Sequence, residues 1–346
     1  MRGYDCVVYC RKSSGAQTPE FYEGRRLKYV KGRSTPELDT VLSSLQTGWE
    51  LLCSRREYSH IFWFNNANLL GILLTLLARI PMSVNTDGME WRRAKWRSPF
   101  KAYSFLSAFL IARLCKSLIS DSRAIQLYYK KTFSKNTQFI PYGVRRPLGV
   151  SAERESAILE RFGVLPGRYL LQVTRFEPDN LPLEIARAFE ASRLAKDDFK
   201  LLLVGYQRET PYTQQIKAMS HREGILVADA SFDSEVLTVL RSNCFCYVHG
   251  NSVGGTNPAL LEAMVSCQRV LAIDVAFNRE VLGSAGYFYT PDDMVESLRN
   301  VLQLPDCSVA MQDQARSHYD WEAVVESYIR LSQGKLAAYS PASSME

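Results

Sequence analysis

The chain has 346 residues, and because single cores stop growing near roughly 250 to 300 residues, two domains are expected. With 46% hydrophobic and 23% charged residues it is neither a disordered nor a fibrous chain. A formal charge of +6 fits anionic ligands, an anionic membrane surface or nucleic acid without choosing among them. Eight cysteines and four histidines have no metal-like spacing: Cys6 and Cys10 straddle one strand and Cys244 and Cys246 alternate in another. No metal and no cofactor are therefore expected, and the cysteines read as buried thiols of a reducing compartment.

No signal peptide opens the chain, since Cys6-Val-Val-Tyr-Cys10 is only a strand-length apolar run. The longest later apolar stretch, Leu69 to Ile80, contains Arg79 and is shorter than the roughly 20 residues a bilayer requires, which points to the cytoplasm. After the first strand, Lys12 to Thr18 reads as a polar loop, and Phe21 to Lys31 as a short basic strand region with turns at Gly24 and Gly32. Pro36 to Cys53 has helical spacing at Leu38, Val41, Leu42, Leu45, Trp49 and Leu52, a stripe expected to face the core. Ile61 to Phe64 is a strand, Asn65 to Asn68 its turn, Leu69 to Arg79 a helix and Met82 to Asn85 a further strand.

The loop Thr86 to Trp91 thus lies at the carboxyl end of a strand, where α/β domains place ligands. Asp87 and Glu90 could each bind a sugar hydroxyl or accept its proton, and Asp87 reads equally as a turn residue. Between Asn85 and Lys116, Arg92, Arg93, Lys95, Arg97, Lys101, Arg113 and Lys116 are interleaved with Trp91, Trp96, Phe100, Tyr103, Phe105 and Phe109. That pattern suits anionic lipid headgroups, a nucleic-acid groove, or an aromatic core stripe beneath a solvated basic face. Ile119-Ser-Asp-Ser122 closes another strand with a hydroxyl and carboxylate turn, and Pro141 to Gly149 breaks the pattern as a hinge.

A second α/β unit follows. Tyr169 to Val173 is its first strand, and Arg175, immediately beyond it, is placed either to hold a diphosphate in bidentate fashion or to stand as a surface charge. Strands at Leu201 to Val204, Ile225 to Val227 and Cys244 to Val248 alternate with helices, leading to His249-Gly-Asn-Ser-Val-Gly-Gly-Thr-Asn-Pro258 and a helix through Met264. A glycine-rich turn feeding a helix N-terminus offers free N–H groups to an anion, and Glu262, one turn in, is a candidate acceptor for a pair of hydroxyls. A tight turn with a surface glutamate is the alternative. Asn278 and Glu280 are expected on a loop, Asp292 to Leu302 as a helix, and Tyr319 onward as a last helix with Trp321, Val324, Val325 and Tyr328 on its apolar face.

The strings NTDGMEWRRAKW (Asn85 to Trp96) and HGNSVGGTNPALLEAM (His249 to Met264) resemble those of GT-B glycosyltransferases of family 4, in the rhamnosyltransferase branch that makes bacterial cell-surface polysaccharides. The resemblance implies a GT-B fold: an acceptor-side Rossmann-like domain over 1–147, a nucleotide-sugar-binding domain over 148–315, a helix over 316–336 packing back on the first domain, and a loose tail over 337–346. It implies metal-free, retaining transfer of L-rhamnose from dTDP-L-rhamnose to a lipid-linked or polysaccharide acceptor, on the anionic inner face of the plasma membrane, with no nucleic acid involved. Arg175 would neutralise the donor diphosphate, with Asn180 where relatives often have a lysine, and Glu262 would hold the ribose. Gly254 stands where the first glutamate of a paired motif is common, so backbone N–H groups of Gly254, Gly255, Thr256 and Asn257 would hold the donor instead. Asp87, Glu90 and His249 would contact acceptor or sugar, with Asp87 and Arg175 carrying the chemistry and Asn278 and Glu280 closing on the nucleotide. Relatives begin with a strand and a GGxE-like loop that do not precede Cys6 here, which implies an N-terminally truncated first domain with unpaired backbone groups. The alternative function is a catalytically inactive nucleotide-sugar-binding or scaffold protein.

Overall fold

The computed structural model describes residues 3–12, 18–32, 36–92, 98–147 and 149–336. The expectations for residues 13–17, for Arg93, Lys95, Trp96 and Arg97, and for the tail 337–346 lie outside the described residues.

The first part of the chain runs β1 (Val7–Lys12), β2 (Phe21–Tyr22), β3 (Arg25–Lys31), α1 (Pro36–Cys53), β4 (Ile61–Phe64), α2 (Leu69–Leu77), β5 (Met82–Asn85), α3 (Ser98–Leu114), β6 (Ser117–Ser120), α4 (Arg123–Phe133) and β7 (Gln138–Phe139). These strands form two sheets, β1-β3-β2 and a parallel β4-β5-β6-β7. The basic strand region turns at Gly24 as expected and forms a hairpin, β2 pairing antiparallel with β3, because Glu23 and Gly24 both take positive φ.

The second part runs α5 (Ala152–Phe162), β8 (Tyr169–Val173), α6 (Pro182–Ser192), β9 (Lys200–Tyr206), α7 (Pro211–Ala218), β10 (Ile225–Asp229), α8 (Ser234–Asn243), β11 (Cys246–His249), α9 (Pro258–Ser266), β12 (Val270–Ile273), α10 (Ala276–Leu282), β13 (Tyr287–Tyr289), α11 (Met294–Arg299), α12 (Ser308–His318) and α13 (Trp321–Ser332). Its sheet is parallel with order β10-β9-β8-β11-β12-β13. Helices cover both faces, so β11 and β12 are buried throughout and read as unbroken apolar runs. Apolar residues of α5, α8, α9 and α12 pack on one face, and those of α6, α7 and α11 on the other.

The chain crosses back at its end. Val144 N–H donates to Tyr319 O at 2.9 Å, and Val324 and Leu331 of α13 pack on Ile119 and Ile140 beside Phe62 and Tyr328. Two Rossmann-like α/β domains therefore flank a cleft. The helix expected over Asp292 to Leu302 stops at Arg299 and continues as a 3₁₀ turn over Val301–Gln303.

One expectation is reversed. Leu42, Leu45 and Trp49 of α1 are exposed and Val41 and Leu52 half-buried, while Ser43, Ser44, Thr47, Gly48 and Leu51 are buried. The side chain of Leu38 lies outside the described residues. Small residues win the inner face because α1 crosses α2 at backbone contact: a Cβ on Gly48 would stand 2.7 Å from the Gly71 Cα, and one on Gly71 would stand 2.5 Å from Trp63 Cη2 and against Ser44 O. Helical Gly→Ala ordinarily stabilises by up to about 1 kcal/mol. Here the sign inverts: Gly71→Ala is expected to destabilise by about 1 to 3 kcal/mol through overpacking, seen as a thermal midpoint several degrees lower. A midpoint that stays or rises would contradict the close crossing.

Candidate functional site

In the second domain the strand order reverses between β8 and β11, so the loops that leave these two strands diverge and frame a crevice at the carboxyl edge of the sheet. The β8–α6 loop carries Arg175, which is exposed and whose guanidinium makes no ion pair with any described residue. The β11–α9 loop carries the glycines. Polar bonds tie the loops together: Ser252 N–H and Oγ both donate to Asp179 O, at 2.9 and 2.8 Å, and the Thr174 hydroxyl lies 3.3 Å from Asn251 Oδ1. Asn180 supplies no charge. It is buried, and its Nδ2 donates to Arg175 O at 2.7 Å, which fixes the backbone beneath the arginine.

Asn257 caps α9 by accepting from Ala259 N–H at 2.9 Å, and Pro258 occupies the first turn, where a missing N–H costs nothing. The amides of Gly254, Gly255 and Thr256 have no hydrogen-bond partner among the described residues. Gly254 has φ +152 with open space where a Cβ would lie. Glu262 is half-exposed and meets Arg241 Nη2 at 2.6 Å; Arg241 is only 5% exposed in its side chain. A cation that deeply desolvated holds the carboxylate strongly, so one Glu262 oxygen is fixed by Arg241. His249 is fully enclosed, and burial lowers its pKa to about 3, so the ring is neutral. It is the last residue of β11, and its Nε2 has no hydrogen-bond partner among the described residues.

On the first domain, Asp87 stands half-buried beyond β5 at φ 51, with Asn65, at φ 80, donating to its Oδ2 at 3.2 Å. Two non-glycine residues in the left-handed region at neighbouring strand ends mark a locally strained edge. Glu90 does not share that edge: it is buried at 5% exposure, at the start of a 3₁₀ turn.

The two domains meet through polar groups. The Asp121 carboxyl, at the end of β6, lies directly on Gly255, where any Cβ would collide with it, and the Thr256 hydroxyl donates to Asp121 O. Asn278 and Glu280, expected on a loop, sit on α10, because Ala276 to Leu282 closes a full set of helical turns. Asn278 faces inward, donating to Asn251 O at 3.1 Å and Ile273 O at 3.0 Å. Glu280 reaches across to the N-terminus of α4, accepting from Arg123 N–H at 2.7 and 2.9 Å and from Ala124 N–H at 3.4 Å. An anion on a helix N-terminus is electrostatically favoured, although burial raises the Glu280 pKa overall.

Asp121 is the functional candidate that sequence reasoning passed over. Burial, then the charges of Asp87 and Glu280, push its pKa up to about 8, and its Oδ1 has no partner. The signal was present in Ile119-Ser-Asp-Ser122, but a carboxylate before a helix cap reads locally as a turn. Among the described residues no group of three His, Cys, Asp or Glu could hold a metal ion. Removing the cross-domain anion with Glu280→Ala is expected to speed hydrogen exchange at the Arg123 and Ala124 amides about tenfold or more, since bonds to a charged acceptor contribute about 1.5 to 3 kcal/mol. Unchanged protection there, by exchange mass spectrometry, would sink the contact.

Residues 163–318 match the family described as glycosyl transferases group 1, and residues 55–145 match DUF1972, a domain of unknown function. The expected membership of family 4 and its rhamnosyltransferase branch is corrected by these matches, which are to group 1 and to DUF1972. Among solved structures, the chain is similar to sucrose-phosphate synthase from Thermosynechococcus elongatus at 14% identity and TM-score 0.77, covering 96% of this chain and 89% of that one. It is also similar to a glycosyltransferase from Rickettsia africae ESF-5, at 12% identity and TM-score 0.67 over 89% of this chain and 85% of that one. A third is Anabaena Alr3699/HepE in complex with UDP and glucose, at 15% identity and TM-score 0.68 over 90% and 87%. With two Rossmann-like domains across a cleft, the chain has the GT-B fold, and its second domain, over residues 163–318, matches glycosyl transferases group 1.

Proposed function

We propose that this glycosyltransferase moves the sugar of a nucleotide diphosphate donor onto a lipid-linked or polysaccharide acceptor at the cytoplasmic face of a membrane. The observation that carries the reading is the strand-order reversal at β8/β11, where the loop bearing an exposed Arg175 is bonded to the loop whose Gly254, Gly255 and Thr256 amides have no partner among the described residues. Arg175 and the amides of Gly254, Gly255 and Thr256 hold the diphosphate, and Asn257 fixes their geometry as the helix cap. Glu262, oriented by Arg241, takes the ribose hydroxyls with its remaining oxygen. Asp87 lines the acceptor side.

In the transfer, the bond between the anomeric carbon and the diphosphate oxygen breaks as the acceptor oxygen bonds to that carbon. The acceptor proton passes to the leaving diphosphate, whose growing charge Arg175 and the amides stabilise, and the configuration is retained. Asp87 orients the acceptor hydroxyl. The donor base and sugar are open to direct comparison: HepE was solved with UDP and glucose, and dTDP-L-rhamnose is the second donor to try.

Helix α3 supports the membrane side of the reading. Phe105, Leu106, Phe109 and Leu114 are exposed along it, Arg113 lies over the Phe109 ring at 5.3 Å, and Lys116 follows, while Phe100 is buried. Among the described residues no helix is long and apolar enough to cross a membrane, so attachment would rest on this surface.

Two measurements test the reading. Arg175→Ala is expected to weaken nucleotide-sugar binding at least about tenfold in calorimetric titration, in line with loss of a charge-assisted pair; unchanged affinity rules out its diphosphate role. Anionic vesicles are expected to retain the protein more strongly than neutral ones, and equal retention excludes charge-driven docking.

A further inference from the structure

Asp121 is an acid that the described residues leave partly unsatisfied. Its Oδ1 is fully buried and accepts no hydrogen bond, and the carboxyl faces the bare backbone of Gly255. The groups around it come from every element packed on the spot: Asp87 beyond β5, Glu280 on α10, Tyr142 after β7 and Tyr328 on α13. None of these supplies a positive charge, and the Arg123 guanidinium is turned away over the Phe139 ring at 4.1 Å. Across the interface Asn278 likewise leaves its Oδ1 bare while its amide holds Asn251 O beneath the glycine loop.

The chemistry of a matching ligand follows from that inventory. A phosphate or carboxylate would be repelled by three converging acids. A cation is disfavoured as well, since no set of metal-ligating side chains is assembled among the described residues. What bare acceptors in an acidic, desolvated corner take is an uncharged hydrogen-bond donor, and a hydroxyl is the one a nucleotide sugar brings in number. The glycine loop thus has an acid against its first-domain side, Asp121 on Gly255, and a cation in its own domain, Arg175 on the β8–α6 loop that is tied to it. A donor whose diphosphate lies toward Arg175 turns its sugar toward the acids.

We infer that the Asp121 carboxyl hydrogen-bonds a hydroxyl of the transferred sugar, so that the first domain, across the cleft from the diphosphate, reads the sugar. The inference rests on the donor reading given above. The carboxyl lies against the bare backbone of Gly255, so a sugar reaches it only where the two domains part at that contact. Gly255 and Gly254 put no side chain between the loop and the carboxyl. With its pKa up to about 8, Asp121 holds its proton at neutral pH, and a carboxyl can bond a hydroxyl in either form.

The test is calorimetric titration of wild type, Asp121→Asn and Asp121→Ala with UDP, UDP-glucose, dTDP and dTDP-L-rhamnose, then with the monodeoxy analogues of whichever sugar nucleotide binds. Asp121→Asn preserves shape and the neutral form, so it remains informative if the alanine variant fails to fold. Both variants are expected to keep nucleoside diphosphate affinity within about twofold; for the sugar nucleotide Asp121→Ala is expected to lose about tenfold, the upper end for one hydrogen bond between neutral groups, and Asp121→Asn a smaller part of that, since its amide still bonds a hydroxyl. One monodeoxy analogue is expected to bind wild type about tenfold more weakly than its parent and Asp121→Ala no differently. If every deoxygenation costs the same in wild type and variants, or if diphosphate and sugar nucleotide weaken together, Asp121 is structural and the inference is overturned while the donor reading stands. If wild type binds none of the four ligands, the donor reading fails and takes the inference with it.

Discussion

The structure turns on the meeting of Asp121 and Glu280 with the opposite domain. Each domain has its own sheet and core, so between them the chain depends on a small set of polar contacts: a carboxyl laid on Gly255, a Thr256 hydroxyl on Asp121 O, and a Glu280 carboxylate on the first amides of α4. The return of α13 onto Ile119 and Ile140 adds an apolar strap on the same side. Polar contacts of this kind are individually modest because each exchanges a bond with water for one within the protein. An interface built from them can separate without disturbing either core, and an apolar one of equal area could not.

The acids make that separability sharper. Burial raises the pKa of Asp121 first, because almost no solvent reaches it, and the nearby charges of Asp87 and Glu280 raise it further. A group whose pKa is raised in the closed arrangement stabilises that arrangement fully only below its open-state value, and the advantage is lost as pH climbs through about 8. The contact between Asp121 and Gly255 is therefore weakest on the alkaline side. Glu280 is relieved by the α4 amides, whereas the Asp121 Oδ1 has no partner among the described residues.

How much of this was legible depended on the range of the cause. The second domain's strands are buried on both faces, so their composition alone marked them, and the loops at β8 and β11 followed from the strand ends. The α1 stripe misled because apolar spacing reports which face could be buried, not which one is. Glycines at 48 and 71 let two helix backbones touch, and that gain outweighed burial of Leu42, Leu45 and Trp49. Asp121 and the reach of Glu280 were illegible for a related reason: each acts on residues more than a hundred positions away, and their local spacing says turn and surface. Glu262 was visible as a carboxylate on α9, but its buried partner Arg241, on the preceding helix, carried no sequence mark of its own.

The same long-range placement bears on why Gly254 and Gly255 stand where they do. A side chain at position 255 would strike the Asp121 carboxyl, whereas one at 254 would meet nothing and would be opposed only by its φ of +152. The two glycines therefore have different causes, clearance across the cleft at one and backbone conformation at the other. An acid added at position 254 would project into open space from a loop already facing Asp121, adding a like charge to a corner where burial, with Asp87 and Glu280 nearby, already holds a proton on Asp121. On the proposed reading, the carboxyl that meets the sugar is carried by the opposite domain, and sugar recognition is coupled to domain approach in a way that a carboxylate on the loop itself would not require.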